Sequence, residues 1–139
     1  MSTGIWRAYV MQHRTFFGGK VTEIPTSLHC DPRGMLTAIE FSGYNFQAVR
    51  AFVVTAPRGT SRGGHAHGSG RQLMMQLSGE IGIEFRYQEQ IERLTLTASN
   101  RAVLVDAPVW ALQTYEGENP SLLVFCDTEY GPENYVSNP

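Results

Sequence analysis

Ile81-Gly82-Ile83-Glu84-Phe85-Arg86 is the stretch that decides the fold class. Ile81, Ile83 and Phe85 share one parity, and Gly82, Glu84 and Arg86 share the other, the period-two pattern of a strand with one buried face. Leu94 and Leu96 alternate with Thr95 and Thr97 in the same way. Working outward, residues 36–41, 49–55, 72–78, 81–87, 90–97, 102–105, 109–115 and 121–127 all read as strands. Turn formers fall between them: Ser42-Gly43, Pro57-Arg58-Gly59, Gly68-Ser69-Gly70, Ser78-Gly79, Ser99-Asn100 and residues 117–120. Short strands punctuated in this way predict an all-β chain, a sandwich or small barrel.

The flanks are less regular. Residues 6–10 and 16–24 add one or two strands, residues 25–32 read as a loop, and residues 130–139 read as a polar tail along the surface. The 139 residues make one domain, 1–139, whose N-terminal strand region is 1–30 and whose tail is 131–139. Charged residues are only 17% of the chain, against about 25% in ordinary soluble domains. The net charge of −2 argues against a general nucleic-acid binder. The longest apolar runs are four or five residues, too short to span a bilayer as a helix, and the first residues lack a secretion-signal pattern. A cytoplasmic protein without membrane or nucleic-acid partners is the expectation. Cys30 and Cys126 are then two reduced thiols rather than a disulfide framework.

Chemistry concentrates at Arg62-Gly63-Gly64-His65-Ala66-His67. On a strand, His65 and His67 point to one face, at the mouth of a glycine-rich turn. Such a pair can share a metal, place a base beside a substrate, or be a structural couple at a strand end. The spacing from Gly59 through His65 and His67 to Gly79 resembles the first cupin motif, in which a Glu follows the histidines by four or five residues. Here positions 71 and 72 are Arg and Gln, and no histidine follows His67. Two imidazoles without a carboxylate make a poor divalent site, so no metal and no other cofactor is expected. General acid/base chemistry is the leading reading, because imidazole titrates near neutrality.

The wider pattern resembles the cupin sugar-nucleotide 3,4-ketoisomerases. Asp31-Pro32-Arg33-Gly34-Met35-Leu36-Thr37-Ala38-Ile39-Glu40 is similar to the family's opening, and Val49-Arg50-Ala51-Phe52 to its next strand. Arg62 to His67 followed by Gln72 looks like the family's Arg-Gly-x-His-Ala-His…Gln core, and Leu77-Ser78-Gly79 and Pro108-Val109-Trp110 like further landmarks. The likeness runs from about residue 31 to residue 130. It implies a cupin-like small β-barrel or jelly roll and a homodimer. It also implies an isomerase that shifts the keto group between C4 and C3 of a nucleotide-linked 4-keto-6-deoxyhexose, a dTDP-sugar above all. Such enzymes work without metal and serve deoxysugar biosynthesis for lipopolysaccharide or other glycans.

By the same resemblance, His65 and His67 are the catalytic acid/base pair, with His67 slightly favoured as the C3 base. Arg33, Arg50, Arg62, Gln72 and Trp110 are the substrate-binding candidates, the guanidiniums because they bind phosphate oxygens bidentately. Strands within residues 5–24 are the candidates for exchange in the dimer. Three positions depart from the family pattern: Phe52-Val53 where a Tyr is common, Ala111 where His or Arg is common, and Arg71 where Glu is common. Each departure is expected to subtract a polar group from the pocket, and no other phenol is evident to replace the Tyr. Two alternatives remain beside the ketoisomerase: a sugar-nucleotide epimerase and a non-catalytic sugar-nucleotide-binding cupin.

Overall fold

The computed structural model describes residues 5–8 and 14–136, with side chains from 14 to 135. Twelve strands run through these residues: Ile5–Ala8 (β1), Thr15–Phe16 (β2), Val21–Ile24 (β3), Ser27–Asp31 (β4), Gly34–Ala38 (β5), Arg50–Thr55 (β6), Ser61–His67 (β7), Arg71–Tyr87 (β8), Gln90–Leu96 (β9), Ala102–Asp106 (β10), Trp110–Cys126 (β11) and Tyr135–Val136 (β12). The only helical turns among the described residues are two 3-10 segments, Phe17–Gly19 and Pro132–Asn134. The all-β expectation holds, and among the described residues no helix is long and apolar enough to cross a membrane.

Nine strands form the body, in the order β12-β7-β11-β8-β10-β3-β2, with β6 also pairing β11 and β9 also pairing β8. The frame is the antiparallel pair of β8 and β11, each 17 residues long. Sequence patterning divides each of them into two strands, because Ser78-Gly79 and residues 117–120 look like turns. In the structure both chains continue through those points and bend there, with register shifts between Glu116 and Leu122. Gly79 makes the bend possible: its φ is +67°, and a Cβ on it would lie 2.7 Å from both the Glu116 carbonyl and Pro120 Cα. Bending lets one half of β11 pair β7 and the other half pair β6, which curls the sheet into a barrel.

The barrel wall is apolar on both faces. Val103 and Val105 on β10, with Leu122 and Val124 on β11, join Ile81, Ile83, Phe85, Leu94 and Leu96 in the interior core. The alternate residues, Leu73, Met75, Ala102 and Leu104, face the outside, where residues 39–48 cover them with Phe41 and Phe46. A strand buried on both faces reads as a continuous apolar run, which is why Ala102-Val103-Leu104-Val105 does not alternate. Each fully buried Leu or Ile contributes about 1.5–3 kcal/mol.

β1, β4 and β5 form a separate three-stranded antiparallel sheet. Residues 25–32, read from sequence as a loop, are therefore mostly strand: β4 pairs β5 in the register Cys30 to Met35, closed by a turn at Pro32-Arg33. Pro25 and Pro32 flank β4 rather than interrupt it, and the Asp31 carboxylate accepts a hydrogen bond from the Arg33 backbone N–H at 2.8 Å. The strand predicted over 36–41 starts earlier and ends at Ala38, since Ile39 and Phe41 leave the ladder to pack on the outer core. Of the N-terminal strands, β3 pairs β10 within the body, so only β1 stands outside it. Residues 9–10 of the strand predicted over 6–10, and the last three residues of the tail, lie outside the described residues. Cys30 and Cys126 are both free thiols.

Candidate active site

A cavity of about 390 Å³ opens inside the barrel, walled by β6, β7, β8, β11 and the end of β10. Arg62 and His65 are three residues apart, so simple alternation would send them to opposite faces of β7. Both line the cavity, because Gly64 is an extra residue: Leu112 opposes Gly63 while Ala111 opposes His65. The bulge needs glycine. Gly63 and Gly64 have φ of +86° and +77°, and a Cβ on Gly63 would meet Gln113 Oε1 at 2.5 Å. The glycine-rich turn of the sequence is thus a re-aimed strand, which carries Arg62, His65 and His67 into one space.

The two imidazoles stand with ring centroids 5.5 Å apart at an interplanar angle of 75°. Tyr135, from β12, packs against both, with its ring centroid 4.5 Å from that of His65 and 4.9 Å from that of His67. Burial pushes the His67 imidazole below its ordinary value, and the neighbouring His65 and Arg50 push it the same way. All three effects favour the neutral imidazole of His67. Arg50 reaches the same end of the cavity, its guanidinium 4.9 Å from the Phe52 ring centroid and 5.1 Å from that of Tyr130. Gln72 donates weakly to Cys126 Sγ at 3.5 Å, and burial pushes the Cys126 thiol up, so it stays protonated.

Of the residues singled out from sequence, the cavity gathers His65, His67, Arg50, Arg62 and Gln72. It leaves out two. Arg33 sits at the β4–β5 turn, with its side chain 79% exposed, tied to Asp31 Oδ2 at 2.5 Å. Trp110 falls on the other parity of β11 from Ala111, Gln113 and Tyr115, which do line the cavity, and its ring takes the Arg86 guanidinium at 4.6 Å. Arg71 also needs correction. It subtracts nothing from the pocket, because it points away from it to bond Asp106 Oδ1 at 2.6 Å and the carbonyls of Tyr44 and Asn45. Phe52 and Ala111 do face the cavity, so those two departures alter its wall.

Gln113, Tyr115 and Tyr135 also line the cavity, and the sequence reading named none of them. The first two were findable, since they continue the Ala111 parity along β11. Tyr135 carried no signal, because its strand is two residues long. The expectation of a pocket without phenols fails on these tyrosines. Tyr115 is fully buried, and burial pushes its phenol up against the opposing pull of Arg62. Among the described residues no three His, Cys, Asp or Glu side chains are grouped to hold a metal ion.

A barrel of this shape has known counterparts. The model of the family described as FdtA, WxcM-like, C-terminal, matches residues 18–139. The chain belongs to this family. Its fold is that of the cupin-type sugar-nucleotide enzymes, as the sequence resemblance implied. A His-to-Asn variant of the 3,4-ketoisomerase QdtA from Thermoanaerobacterium thermosaccharolyticum, in complex with TDP-4-keto-6-deoxyglucose, superposes with a TM-score of 0.77 at 24% identity, covering 86% of this chain and 88% of that one. The WlaRB TDP-quinovose 3,4-ketoisomerase of Campylobacter jejuni gives 0.72 at 22% identity, covering 86% and 92%. The rmlC epimerase of Mycobacterium tuberculosis gives 0.78 at 17% identity, covering 90% and 72%. No curated sequence matches the chain.

Proposed function

We propose that this family member is a sugar-nucleotide 3,4-ketoisomerase acting on a nucleotide-linked 4-keto-6-deoxyhexose, with a dTDP-sugar favoured. One observation carries the reading: two imidazoles 5.5 Å apart face a cavity that two guanidiniums, Arg50 and Arg62, also line. The volume of about 390 Å³ lies within the usual range for small-molecule sites.

In this reading neutral His67 takes the proton from C3, which the adjacent C4 carbonyl acidifies. The C–H electron pair becomes a C3–C4 double bond, and the C4 oxygen becomes an enediolate held by donated hydrogen bonds from His65 or a guanidinium. The C3 hydroxyl then loses its proton as C3 becomes the carbonyl, and C4 takes a proton from the acid/base pair. Electrons move only within the sugar, so the step consumes no oxidant, reductant or metal. Arg50 and Arg62 are assigned to the diphosphate and enediolate oxygens.

The assembly proposed is a homodimer of a cytoplasmic enzyme. Support comes from the sheet β1-β4-β5, which stands outside the body, and from the exposed Met35, Leu36, Val49 and Val53. The reaction is tested by incubation with dTDP-4-keto-6-deoxyglucose in deuterated water. A carbonyl moved to C3 with deuterium at C4 is the expected result. Label at C3 or C5 with the ketone still at C4 would make the protein an epimerase, and unchanged, unlabelled substrate would make it a binding module.

A further inference from the structure

The C-terminal segment is more than a tail on the surface. Residues 130–136 turn back to the cavity, which Tyr135 lines, and pair with the histidine strand, Tyr135 opposite His67 and Val136 opposite Ala66. The segment is fastened at several points. The Gly68 N–H donates to the Asn134 carbonyl at 2.7 Å, the Ser69 N–H to Asn134 Oδ1 at 3.0 Å, and Asn134 Nδ2 to the Ser69 carbonyl at 3.2 Å. Asn134 N–H closes the Pro132–Asn134 turn on the Gly131 carbonyl at 2.9 Å. These bonds set where the next side chain goes, and that side chain is Tyr135. Its ring meets His65 nearly edge-on, at 76°, and His67 at a tilt of 52°.

We infer that Tyr135 is a positioning residue, a ring held by the C-terminal clasp that fixes both imidazoles and keeps water from His67. The inference deepens the proposed reaction and rests on it for its catalytic meaning, whereas the effect on His67 itself is independent of turnover. The ring, rather than the hydroxyl, has the stated contacts. The groups around His67 are His65 on its own strand, Arg50 from β6, Cys126 from β11, Tyr135 from β12, and Glu129 and Tyr130 from the segment between β11 and β12. Arg50 sits over Tyr130 as well as Phe52, so the same segment also steadies the nearest guanidinium. A base free to rotate, or hydrated, loses the near-attack geometry that proton transfer needs, and a displacement of 1 Å costs about a hundredfold.

Tyr135→Ala and Tyr135→Phe separate this role from the others. NMR titration of the His67 ring protons in the unliganded protein reads the environment directly. Tyr135→Ala is expected to raise the His67 midpoint toward the ordinary value near 6.5 and to cut kcat by roughly ten- to a hundredfold with a smaller change in KM. Tyr135→Phe, which keeps the ring, is expected to restore the low midpoint and recover most of kcat. Should Tyr135→Ala not fold, Tyr135→Asn carries the same test, since it removes the ring and puts a small polar side chain, which admits water to His67, on the clasp. An unmoved His67 midpoint in the ring-less variant overturns the inference. So does a Phe variant as slow as the Ala variant with its midpoint unmoved, since the hydroxyl would then be the working group. If the midpoint moves as expected while the wild-type protein performs no isomerisation, the positioning role stands and the proposed reaction falls.

Discussion

The two arginine–glycine stretches, Asp31-Pro32-Arg33-Gly34 and Arg62-Gly63-Gly64, look alike in sequence and come to different uses. In the first, glycine ends a hairpin turn, and the guanidinium closes on Asp31 in open solvent. That pairing holds the Asp31 carboxyl below its usual value, chiefly through the hydrogen bonds from Arg33. In the second, two glycines make a bulge, and the guanidinium is turned into a cavity that two imidazoles share. The same residue types give a turn where two strands meet end to end and a bulge where a third strand runs alongside. A guanidinium becomes a site residue through the face its strand presents, and motif membership alone does not decide it.

Histidines give the largest test of that contrast. His65→Asn and His67→Asn are each expected to lower turnover by about 10²–10⁴ while leaving the melting temperature close to wild type. His29, on β4 and 3.4 Å from Asp31 Oδ2, belongs to the hairpin sheet, and His29→Asn is expected to keep turnover within about twofold. Variants of the bulged strand that melt lower and turn over normally per folded molecule would break the assignment. Next in size comes the pair of arginines. Arg62→Ala removes a charge-assisted contact and is expected to raise KM by about ten- to a hundredfold, whereas Arg33→Ala changes it by a few-fold at most. Equal losses would break the comparison. They would mean that Arg33 reaches a cavity other than that of its own chain, and light scattering at micromolar concentration would then have to show a dimer.

Fold class was legible because half-buried strands write period two into the chain, as in Ile81–Phe85, and because turns carry glycine and proline. Joined strands were not legible: Ser78-Gly79 has the composition of a turn, and only the close approach of Pro120 and Glu116 makes it a bend inside β8. β4 was hidden for another reason. Ser27-Leu28-His29-Cys30-Asp31 is evenly half-buried, so it has no apolar face to alternate. The motif-borne residues His65, His67, Arg50, Arg62 and Gln72 all line the cavity, since local spacing carries them. Arg33 and Trp110 lie outside the cavity of their own chain, because spacing along the chain does not report which face of a strand meets it. Tyr135 was missed because its place depends on Asn134 binding residues 68 and 69, a contact spanning 65 positions.

The smallest expected effect sharpens the comparison through pH. Asp31 in the hairpin titrates below the usual carboxylate range, far from neutrality, whereas His67 in the cavity titrates below the ordinary imidazole value near 6.5. Its lowered value means that the unfolded chain takes up the His67 proton first as the pH falls. Stability therefore gains nothing from His67 above about pH 6.5, declines between there and the lowered folded-state value, and is flat again below it. The slope has the opposite sign from that of a histidine held by a carboxylate, which would stabilise the fold as it became charged. His67→Asn removes the slope, so the difference in unfolding free energy between wild type and variant, followed by urea melts from pH 7.5 to 5, isolates it from the carboxylates. In kcat/KM the same lowered value keeps the base unprotonated, and the acid limb is expected below pH 6.5. A His67-dependent stability that rises as the pH falls through this window would mean that the imidazole is stabilised as a cation in the folded protein. It would then be the acid of the pair, and His65 would take over the removal of the C3 proton.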